Sequence, residues 1–247
     1  MTLLLLLLGA ACGSFLNVCI HRLPRGESLR KPRSHCAACL RALRVRDLIP
    51  LMSFIALRGR CRYCRRAIPA YHFALEAVTP ALFIALFGVH GLSWGFVTAA
   101  TLASVLLVIA GIDWQWLCIP NVLVLACLAL GLFEHFFVRQ EDLAAALVGF
   151  MSGILMLALP SLFVKCFNRC ESMGMGDFKL VAVLGFYFGG LEVLILIWCA
   201  SALGAAYGLL GIARGKLVRS SKIPFGSFLC AVALVALLAK NIWTVGW

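Results

Sequence analysis

Long apolar runs, separated by short basic segments, constrain this chain more than any other feature. Several of the runs reach the roughly 20 residues that a helix needs to span a bilayer. Hydrophobic residues make up 63% of the 247 residues and charged residues only 13%, with a mean hydropathy of +1.01. A soluble protein of this length needs more charge to cover its surface. The sequence therefore predicts an all-α, polytopic membrane protein.

The basic residues indicate the membrane topology of the chain. Of the 22 Lys and Arg residues, 13 lie between Arg22 and Arg66, and most others fall into two later groups around 165–179 and 214–222. The positive-inside rule then predicts eight helices, the first entering from the outside. Their expected spans are about 2–20, 71–89, 94–112, 121–138, 143–164, 178–190, 192–212 and 224–245.

This threading places 20 of the 22 basic residues on the cytoplasmic side and ends the chain outside. The sixth span is short and glycine-rich, so it could be broken or only partly inserted. The N-terminal leucine run has no basic segment before it, so we expect a retained first helix rather than a cleaved signal peptide. The basic loop after the first helix would also suit nucleic acid. Because the loop lies between apolar spans, its basic residues are instead expected to set the membrane topology and to contact anionic lipid headgroups. We expect no nucleic acid as a partner.

Two aspartates stand beside apolar runs, where ionisable groups are costly and usually line a site. Asp113 follows Gly111-Ile112, and Asp177 follows Gly174-Met175-Gly176. The expected threading brings both to the cytoplasmic face, although 64 positions separate them. Two carboxyl groups that share a site can split their pKa values, so that one is protonated and one ionised, and such a pair can activate water against an amide. The pattern predicts an intramembrane aspartyl peptidase.

The two aspartates could also serve purposes other than catalysis. They could be ordinary interfacial residues at helix ends, with Asp177 capping its helix. A transporter could use them as a proton relay, with Glu76 and Glu134 as the main further candidates, but it would carry more polar mid-span residues and internal symmetry. A non-enzymatic membrane assembly factor would tolerate the loss of both aspartates.

Four cysteines form a second group. Cys36 and Cys39 make one CxxC pair, Cys61 and Cys64 make another, and 21 residues separate the pairs. This spacing suits a tetrahedral four-thiolate zinc site. A cytoplasmic loop disfavours disulfides, and the surrounding arginines help to supply thiolates. Reduced, unligated cysteines are the alternative, and His35 is a less favoured substitute ligand. A closed four-thiolate shell leaves no position for water, so this zinc would be structural.

Several segments, taken in chain order, resemble the signatures of type IV prepilin peptidases. They are Gly13-Ser14-Phe15-Leu16-Asn17-Val18 with Arg22-Leu23-Pro24, Ile49-Pro50 with Leu57-Arg58-Gly59-Arg60-Cys61-Arg62-Tyr63-Cys64, Glu76, Gly174-Met175-Gly176-Asp177-Phe178-Lys179-Leu180, and Ile223-Pro224-Phe225-Gly226. The resemblance spans nearly the whole chain. It departs at Trp114-Gln115-Trp116, which replaces a commoner polar or acidic stretch, and at Asn121, where family members often carry an aspartate.

The resemblance implies a specific reaction. Members of the family remove the short basic leader of type IV prepilins or type II secretion pseudopilins after a glycine, at the cytoplasmic face of the bacterial inner membrane. Many also methylate the new N-terminus with S-adenosylmethionine, but no glycine-rich nucleotide fold is visible here and no residue is assigned to that cofactor. Asp113 and Asp177 would act as base and acid, in an order that the sequence does not assign.

The combined patterns divide the chain into three expected parts. Residues 1–21 form the first transmembrane helix, residues 22–70 a cytoplasmic zinc-binding loop domain, and residues 71–247 a transmembrane aspartyl peptidase core.

Overall fold

The computed structural model describes residues 1–31, 33–36, 38–139, 143–168, 174–218 and 221–243. Within these residues the chain is helical, which confirms the expected all-α class, and extended pairing is limited to two isolated bridges in the cysteine loop. The helices are α1 (Thr2–Arg22), α2 (Met52–Ala56), α3 (Ala70–His90), α4 (Trp94–Trp116), α5 (Asn121–Phe133), α6 (Leu143–Asn168), α7 (Met175–Phe188), α8 (Gly190–Ala213) and α9 (Phe225–Trp243). Residues 169–173 and 219–220, which fall within the two later basic groups, and residues 244–245, which fall within the last expected span, lie outside the described residues.

Six helical segments among the described residues are long and apolar enough to cross a membrane. They are 2–25, 70–90, 94–116, 121–138, 143–162 and 190–213. The protein is therefore a multi-pass membrane protein. Helix α7 has only 14 residues, about 21 Å of rise, which is shorter than a hydrocarbon core of about 30 Å. The short sixth span of the sequence prediction corresponds to this helix.

Two helix ends differ from the sequence prediction, and both differences concern the aspartates. Helix α4 continues to Trp116 rather than ending near 112. Helix α7 begins at Met175 rather than near 178. Asp113 therefore lies in the last turn of α4, and Asp177 lies in the first turn of α7. Neither residue belongs to a connecting segment.

The fourth expected helix also differs at its C-terminal end. The α-helical geometry of α5 stops at Phe133, and Glu134–Arg139 continue as a π-helical turn. Glu134 is 2% exposed, and its carboxyl group is hydrogen-bonded to the Thr98 hydroxyl of α4. π turns interrupt α-helices where one extra residue has to be accommodated. Here the interruption coincides with a buried carboxyl group.

The N-terminal unit, Met1–Leu92, is built on the contact between α1 and α3. A Cβ atom at Gly9 would clash with Pro80 Cα, and one at Gly13 would lie 2.8 Å from the Leu75 carbonyl oxygen. Only glycine allows the helix backbones to approach this closely, as small residues do at membrane helix interfaces. Asn17 adds a polar contact by donating to the His72 carbonyl oxygen over 3.1 Å.

The C-terminal unit, Ser93–Trp247, surrounds α7 with other helices. Helix α7 packs against α5, α6, α8 and α9, and α4 packs against α5 and α9. Eight consecutive residues of α7, from Leu180 to Tyr187, are buried. A helix buried on every side is enclosed by protein. This environment explains how a helix too short to span the bilayer can still be accommodated, because its central and C-terminal turns are surrounded by protein.

Candidate active site and metal centre

Asp113 is a buried carboxyl group with well-defined partners. It is 5% exposed. Its Oδ2 atom accepts hydrogen bonds from the Ser227 backbone N–H over 2.7 Å and from the Ser227 hydroxyl over 3.0 Å. Ser227 lies in the first turn of α9, where backbone N–H groups have no partner within the helix. The start of α9 therefore supplies the donors that a buried carboxylate needs.

The close approach of α9 to Asp113 depends on Gly226. A Cβ atom at this position would lie 3.1 Å from Asp113 Oδ2 and 2.9 Å from Ile119 Cδ1. Any side chain would push the first turn of α9 away from the carboxyl group. This contact gives a physical reason for the glycine in Ile223-Pro224-Phe225-Gly226.

Asp177 is partly buried in the first turn of α7. The N-cap of α7 is Gly174 and Asp177 is the third residue of the helix, so Asp177 is not the capping residue considered from the sequence. The Gly174 backbone N–H lies close enough to act on the Asp177 carboxyl group. A Cβ atom at Gly176 would lie 3.0 Å from Ile119 Cβ. Ile119, in the connection between α4 and α5, therefore lies against the first turns of both α7 and α9.

The two aspartates belong to one electrostatic group. The charge of Asp113 acts on Asp177, and the charges of both act on the buried thiol of Cys230 in α9. The fold thus brings together carboxyl groups that lie 64 positions apart in the sequence. The arrangement provides two acids with different donors, which is what proton transfer to and from a reacting amide requires.

Two polar contacts of this region, that of Ser227 with Asp113 and that of Lys179 with Asn121, were not predicted from the sequence. Ser227 directly follows the Ile223–Gly226 motif, and its place at a helix start after a proline was the available signal. Lys179 donates to Asn121 Oδ1 over 3.0 Å. In the sequence, Asn121 is apparent only as a departure from the family pattern.

Aromatic side chains lie beside the end of α4. The exposed Trp114 ring contacts Tyr207 of α8 and Phe228 of α9, with centroid distances of 5.5 and 6.3 Å. Tryptophan and tyrosine are enriched at the level of lipid headgroups. The group is therefore typical of a membrane–water interface next to the aspartates.

The two glutamates considered for a proton relay have other contacts. Glu76 lies in the N-terminal unit, where its Oε2 atom accepts from the Leu51 backbone N–H over 2.8 Å. Glu134 is bonded to Thr98. Thr98 precedes Asp113 by 15 positions on α4, about 22 Å along the helix axis. Glu76 therefore connects the loop to α3. Glu134 contacts α4 at Thr98, far from the end of that helix where Asp113 lies.

The four cysteines of the loop converge on one point. The sulfur atoms of Cys36, Cys39, Cys61 and Cys64 all lie within 4.8 Å of one another, and those of Cys36 and Cys64 are 3.8 Å apart. Tetrahedral zinc with Zn–S bonds of about 2.3 Å requires sulfur atoms about 3.8 Å apart. The cluster is therefore compatible with zinc.

The two halves of the cluster repeat one backbone conformation. In the first half the Cys36 N–H donates to the Arg41 carbonyl over 3.0 Å, and in the second the Cys61 N–H donates to the Arg66 carbonyl over 2.9 Å. Both halves turn through a residue with positive φ, Leu40 at 56° and Arg65 at 58°. Each half is also closed by an isolated bridge, His35 with Ala42 and Arg60 with Ala67. The cysteine spacing alone does not predict this repeat.

The electrostatics of the cluster favour thiolate formation at one cysteine. Partial burial raises the pKa of the Cys36 thiol, but the backbone N–H groups of Cys39 and Ala38 and the neighbouring thiols lower this pKa to about 6. The pKa of the Cys64 thiol is raised to about 11. The Arg66 backbone N–H lowers this pKa, but burial and the neighbouring thiols raise it by more. A divalent cation at the centre would remove this competition among the thiols. His35 bonds the Arg33 carbonyl through Nδ1 over 3.1 Å and is not a member of the cluster.

Comparison with known proteins identifies the family. A family model described as the bacterial peptidase A24 N-terminal domain matches residues 7–89, and a model described as the type IV leader peptidase family matches residues 100–209. A prepilin leader peptidase/N-methyltransferase from Burkholderia pseudomallei is 34% identical over 92% of this chain and 81% of its own length. Proteins with the same description from Pseudomonas aeruginosa and Bacillus subtilis are 34% and 30% identical, over 94% and 95% of this chain and 88% and 93% of their own.

No solved structure matches the chain. The family models and the relatives nevertheless agree with one another and together cover most of the sequence. The chain belongs to the type IV leader peptidase family, whose members process prepilins.

Proposed function

We propose that this protein is an intramembrane aspartyl endopeptidase that removes the leader of type IV prepilins or type II secretion pseudopilins, with Asp113 and Asp177 as the catalytic pair. The observation that carries the proposal is the common electrostatic group formed by these carboxyl groups at the ends of α4 and α7. Membership of the type IV leader peptidase family supports the same substrates.

The proposed chemistry needs one ionised and one protonated carboxyl group. The ionised group accepts a proton from water while the water oxygen attacks the scissile carbonyl carbon. The protonated group donates its proton to the carbonyl oxygen, which gives a neutral gem-diol. In the second step the amide C–N bond breaks as a proton passes to the leaving nitrogen, and the pair returns to its starting state.

The cleavage is proposed to follow a glycine at the cytoplasmic face of the bacterial inner membrane. The distribution of basic residues supports this face by the positive-inside rule, and the aromatic group around Trp114 supports an interfacial depth. A substrate helix in the bilayer would bring the residues just before it to the same depth as the aspartates. We propose that membrane lipids, but not nucleic acid, contact the basic loop.

We further propose that Cys36, Cys39, Cys61 and Cys64 hold a structural zinc ion in a cytoplasmic loop domain of residues 22–70. The sulfur spacing supports this assignment. The first transmembrane helix (1–21) would precede this domain, and the peptidase core (71–247) would follow it. Zinc bound by four thiolates organises a loop that has little apolar core of its own.

A second activity, methylation of the new N-terminus, is proposed from the names of the relatives, which include N-methyltransferase. S-adenosylmethionine, when bound, supplies the methyl group. The glycine-rich turn that often cradles such nucleosides is not found among the described residues. No residue is therefore assigned to this cofactor.

Cleavage of a purified prepilin by the purified protein in detergent tests the main proposal. The full-length protein should shorten the substrate on a gel, and Asp113→Asn and Asp177→Asn should each lose this activity. Glu192→Gln, an acid at the start of α8 in the same unit, is the matched control and should cleave normally. Normal turnover by either asparagine variant would remove that aspartate from the mechanism.

A further inference from the structure

We infer that Ser227 holds Asp113 as the ionised carboxylate, which makes Asp113 the general base and Asp177 the proton donor at the start of the reaction. This inference rests on the proposed peptidase function and assigns separate roles within its catalytic pair. Ser227 acts here as a positioning residue, because it contacts Asp113 rather than the substrate.

The Ser227 backbone N–H favours a charged acceptor. It points at Asp113 Oδ2 over 2.7 Å, a distance typical of hydrogen bonds to a charged acceptor. A backbone N–H can only donate. Oδ2 must therefore accept this bond, and a proton placed on Oδ2 would compete with it. The short bond favours the ionised form of Asp113.

The Ser227 hydroxyl has one proton and two acceptors within reach. The hydroxyl oxygen lies 3.0 Å from Asp113 Oδ2 and 3.0 Å from the Ala110 carbonyl oxygen. The Ala110 carbonyl lies inside α4, where helix carbonyls accept backbone bonds. The hydroxyl is thus available to Oδ2 while Asp113 is ionised. When Asp113 takes up a proton, the hydroxyl can turn to Ala110, so it serves both states of the reaction.

The hydrogen-bond donors of the two aspartates differ among the residues that the structure describes. Asp113 is buried and accepts two hydrogen bonds from Ser227, including one from a hydroxyl. Within the described residues, the backbone N–H that acts on the Asp177 carboxyl group is that of Gly174. Two carboxyl groups that interact do not both ionise readily. The negative charge therefore resides on the carboxyl group with more donors, and the proton resides on Asp177.

Other titratable groups surround the two aspartates, but among the described residues only Ser227 donates hydrogen bonds to Asp113. Asp177 of α7 interacts electrostatically with Asp113. The thiols of Cys118, in the α4–α5 connection, and of Cys230, in α9, also interact with Asp113. Cys127 of α5 interacts with Cys230. From α8, Tyr207 reaches the Trp114 ring next to the site. Lys179 of α7 donates to Asn121. The side-chain hydrogen bonds found on Asp113 come from Ser227 alone within the described residues.

The assignment has a geometric consequence for the attacking water. Because Ser227 occupies Asp113 Oδ2, the proton taken from water goes to Oδ1. The carbonyl oxygen of the scissile bond faces the protonated carboxyl group of Asp177. The proton taken by Asp113 is then the one delivered to the leaving nitrogen, and Asp113 returns to its bond with Ser227.

The test is the pH dependence of kcat/KM for prepilin cleavage by the full-length protein. Ser227→Ala removes the hydroxyl but keeps the backbone N–H. It should still cleave, with the acid limb of the profile moved to higher pH by about one unit, which is about a tenfold loss on the acid side. Ser227→Thr restores the hydroxyl and should return the limb toward its original position.

Ser227→Pro removes both donors, and proline is tolerated in the first turn of a helix. It should move the acid limb further than Ser227→Ala does. A purely structural role of Ser227 would instead lower kcat/KM equally at every pH. Acid limbs that coincide in the wild-type, alanine and proline proteins would overturn the inference.

Infrared difference spectroscopy provides a readout independent of turnover. In Asp177→Asn protein, the carboxylic acid band that belongs to Asp113 should appear at higher pH when Ser227→Ala is added. An unchanged band would contradict the inference.

If the wild-type protein cleaves and both aspartates are needed, but Ser227→Ala changes neither readout, only the role of Ser227 fails. If cleavage does not need the aspartates, the proposed function itself fails.

Discussion

The backbone N–H of Ser227 donates to Asp113 Oδ2 over 2.7 Å, across 114 positions of the chain. This bond joins the first turn of α9 to the last turn of α4. The N-terminus of α9 thereby holds the buried carboxyl group of Asp113 in place. Partial positive charge at a helix N-terminus stabilises a nearby anion. Two distant parts of the sequence thus share the construction of the candidate active site.

The first prediction concerns the length of the catalytic side chains. Asp113→Glu and Asp177→Glu keep the carboxyl group but move it by one methylene. We expect each to lower kcat/KM by about a hundredfold or more, because misplacing a reacting group by about 1 Å has this effect. A gel-based cleavage assay on purified variants measures it. Glutamate variants with activity close to that of the wild type would show that carboxyl position does not limit the reaction.

The second prediction concerns Gly226. A Cβ atom there would lie 3.1 Å from Asp113 Oδ2 and 2.9 Å from Ile119 Cδ1. We expect Gly226→Ala to insert and purify normally but to lose about tenfold or more in kcat/KM, since α9 must move away from Asp113. Gly88→Ala is the matched control, because open space surrounds Gly88 in α3. Equal cleavage rates for the two variants would contradict the close packing at Gly226.

The third prediction concerns the metal. Protein purified without chelator should contain about one zinc per chain, measured by elemental analysis. Cys61→Ser should lower the zinc content and increase protease cleavage of the loop, whereas Cys199→Ser, at an exposed position on α8, should leave both unchanged. Catalysis should suffer only indirectly.

Two outcomes would contradict the structural role of this zinc. Protein without zinc would exclude the cluster as its binding site. Zinc that is retained only while Asp113 and Asp177 are intact would instead indicate a catalytic metal.

The fourth prediction concerns membrane topology. Single cysteines are introduced into a protein that lacks its native cysteines, and intact cells are treated with an impermeant thiol reagent. A cysteine at Gln140 or after Trp247 should be labelled, and a cysteine at Ser34 or Ser220 should not, by the positive-inside rule. Gln140, Ser220 and Trp247 lie outside the described residues, so the labelling tests the threading of the chain directly. Labelling at Ser34 would invert the proposed orientation.

Much of the fold was predictable because its signals are local. The apolar runs predicted all six of the described helices that are long and apolar enough to cross a membrane, and the all-α class is confirmed. Helix ends were less accurate: α4 extends to Trp116, and α7 starts at Met175. The π turn at Glu134 was missed altogether, because it coincides with the bond to Thr98 on another helix. No pattern within a single segment reports such a contact.

Local sequence patterns were sufficient to predict the apolar helices, the two aspartates with their neighbouring glycines, and the paired cysteines. Hydrophobic run length and cysteine spacing act over a few residues, so one segment is enough to read them. Three features became apparent only in the folded structure: the hydrogen bond from Ser227 to Asp113, the place of Ile119 against the starts of α7 and α9, and the repeated backbone conformation of the two cysteine pairs. These contacts arise from packing between helices and from loop closure, whose geometry depends on the whole unit rather than on any one segment.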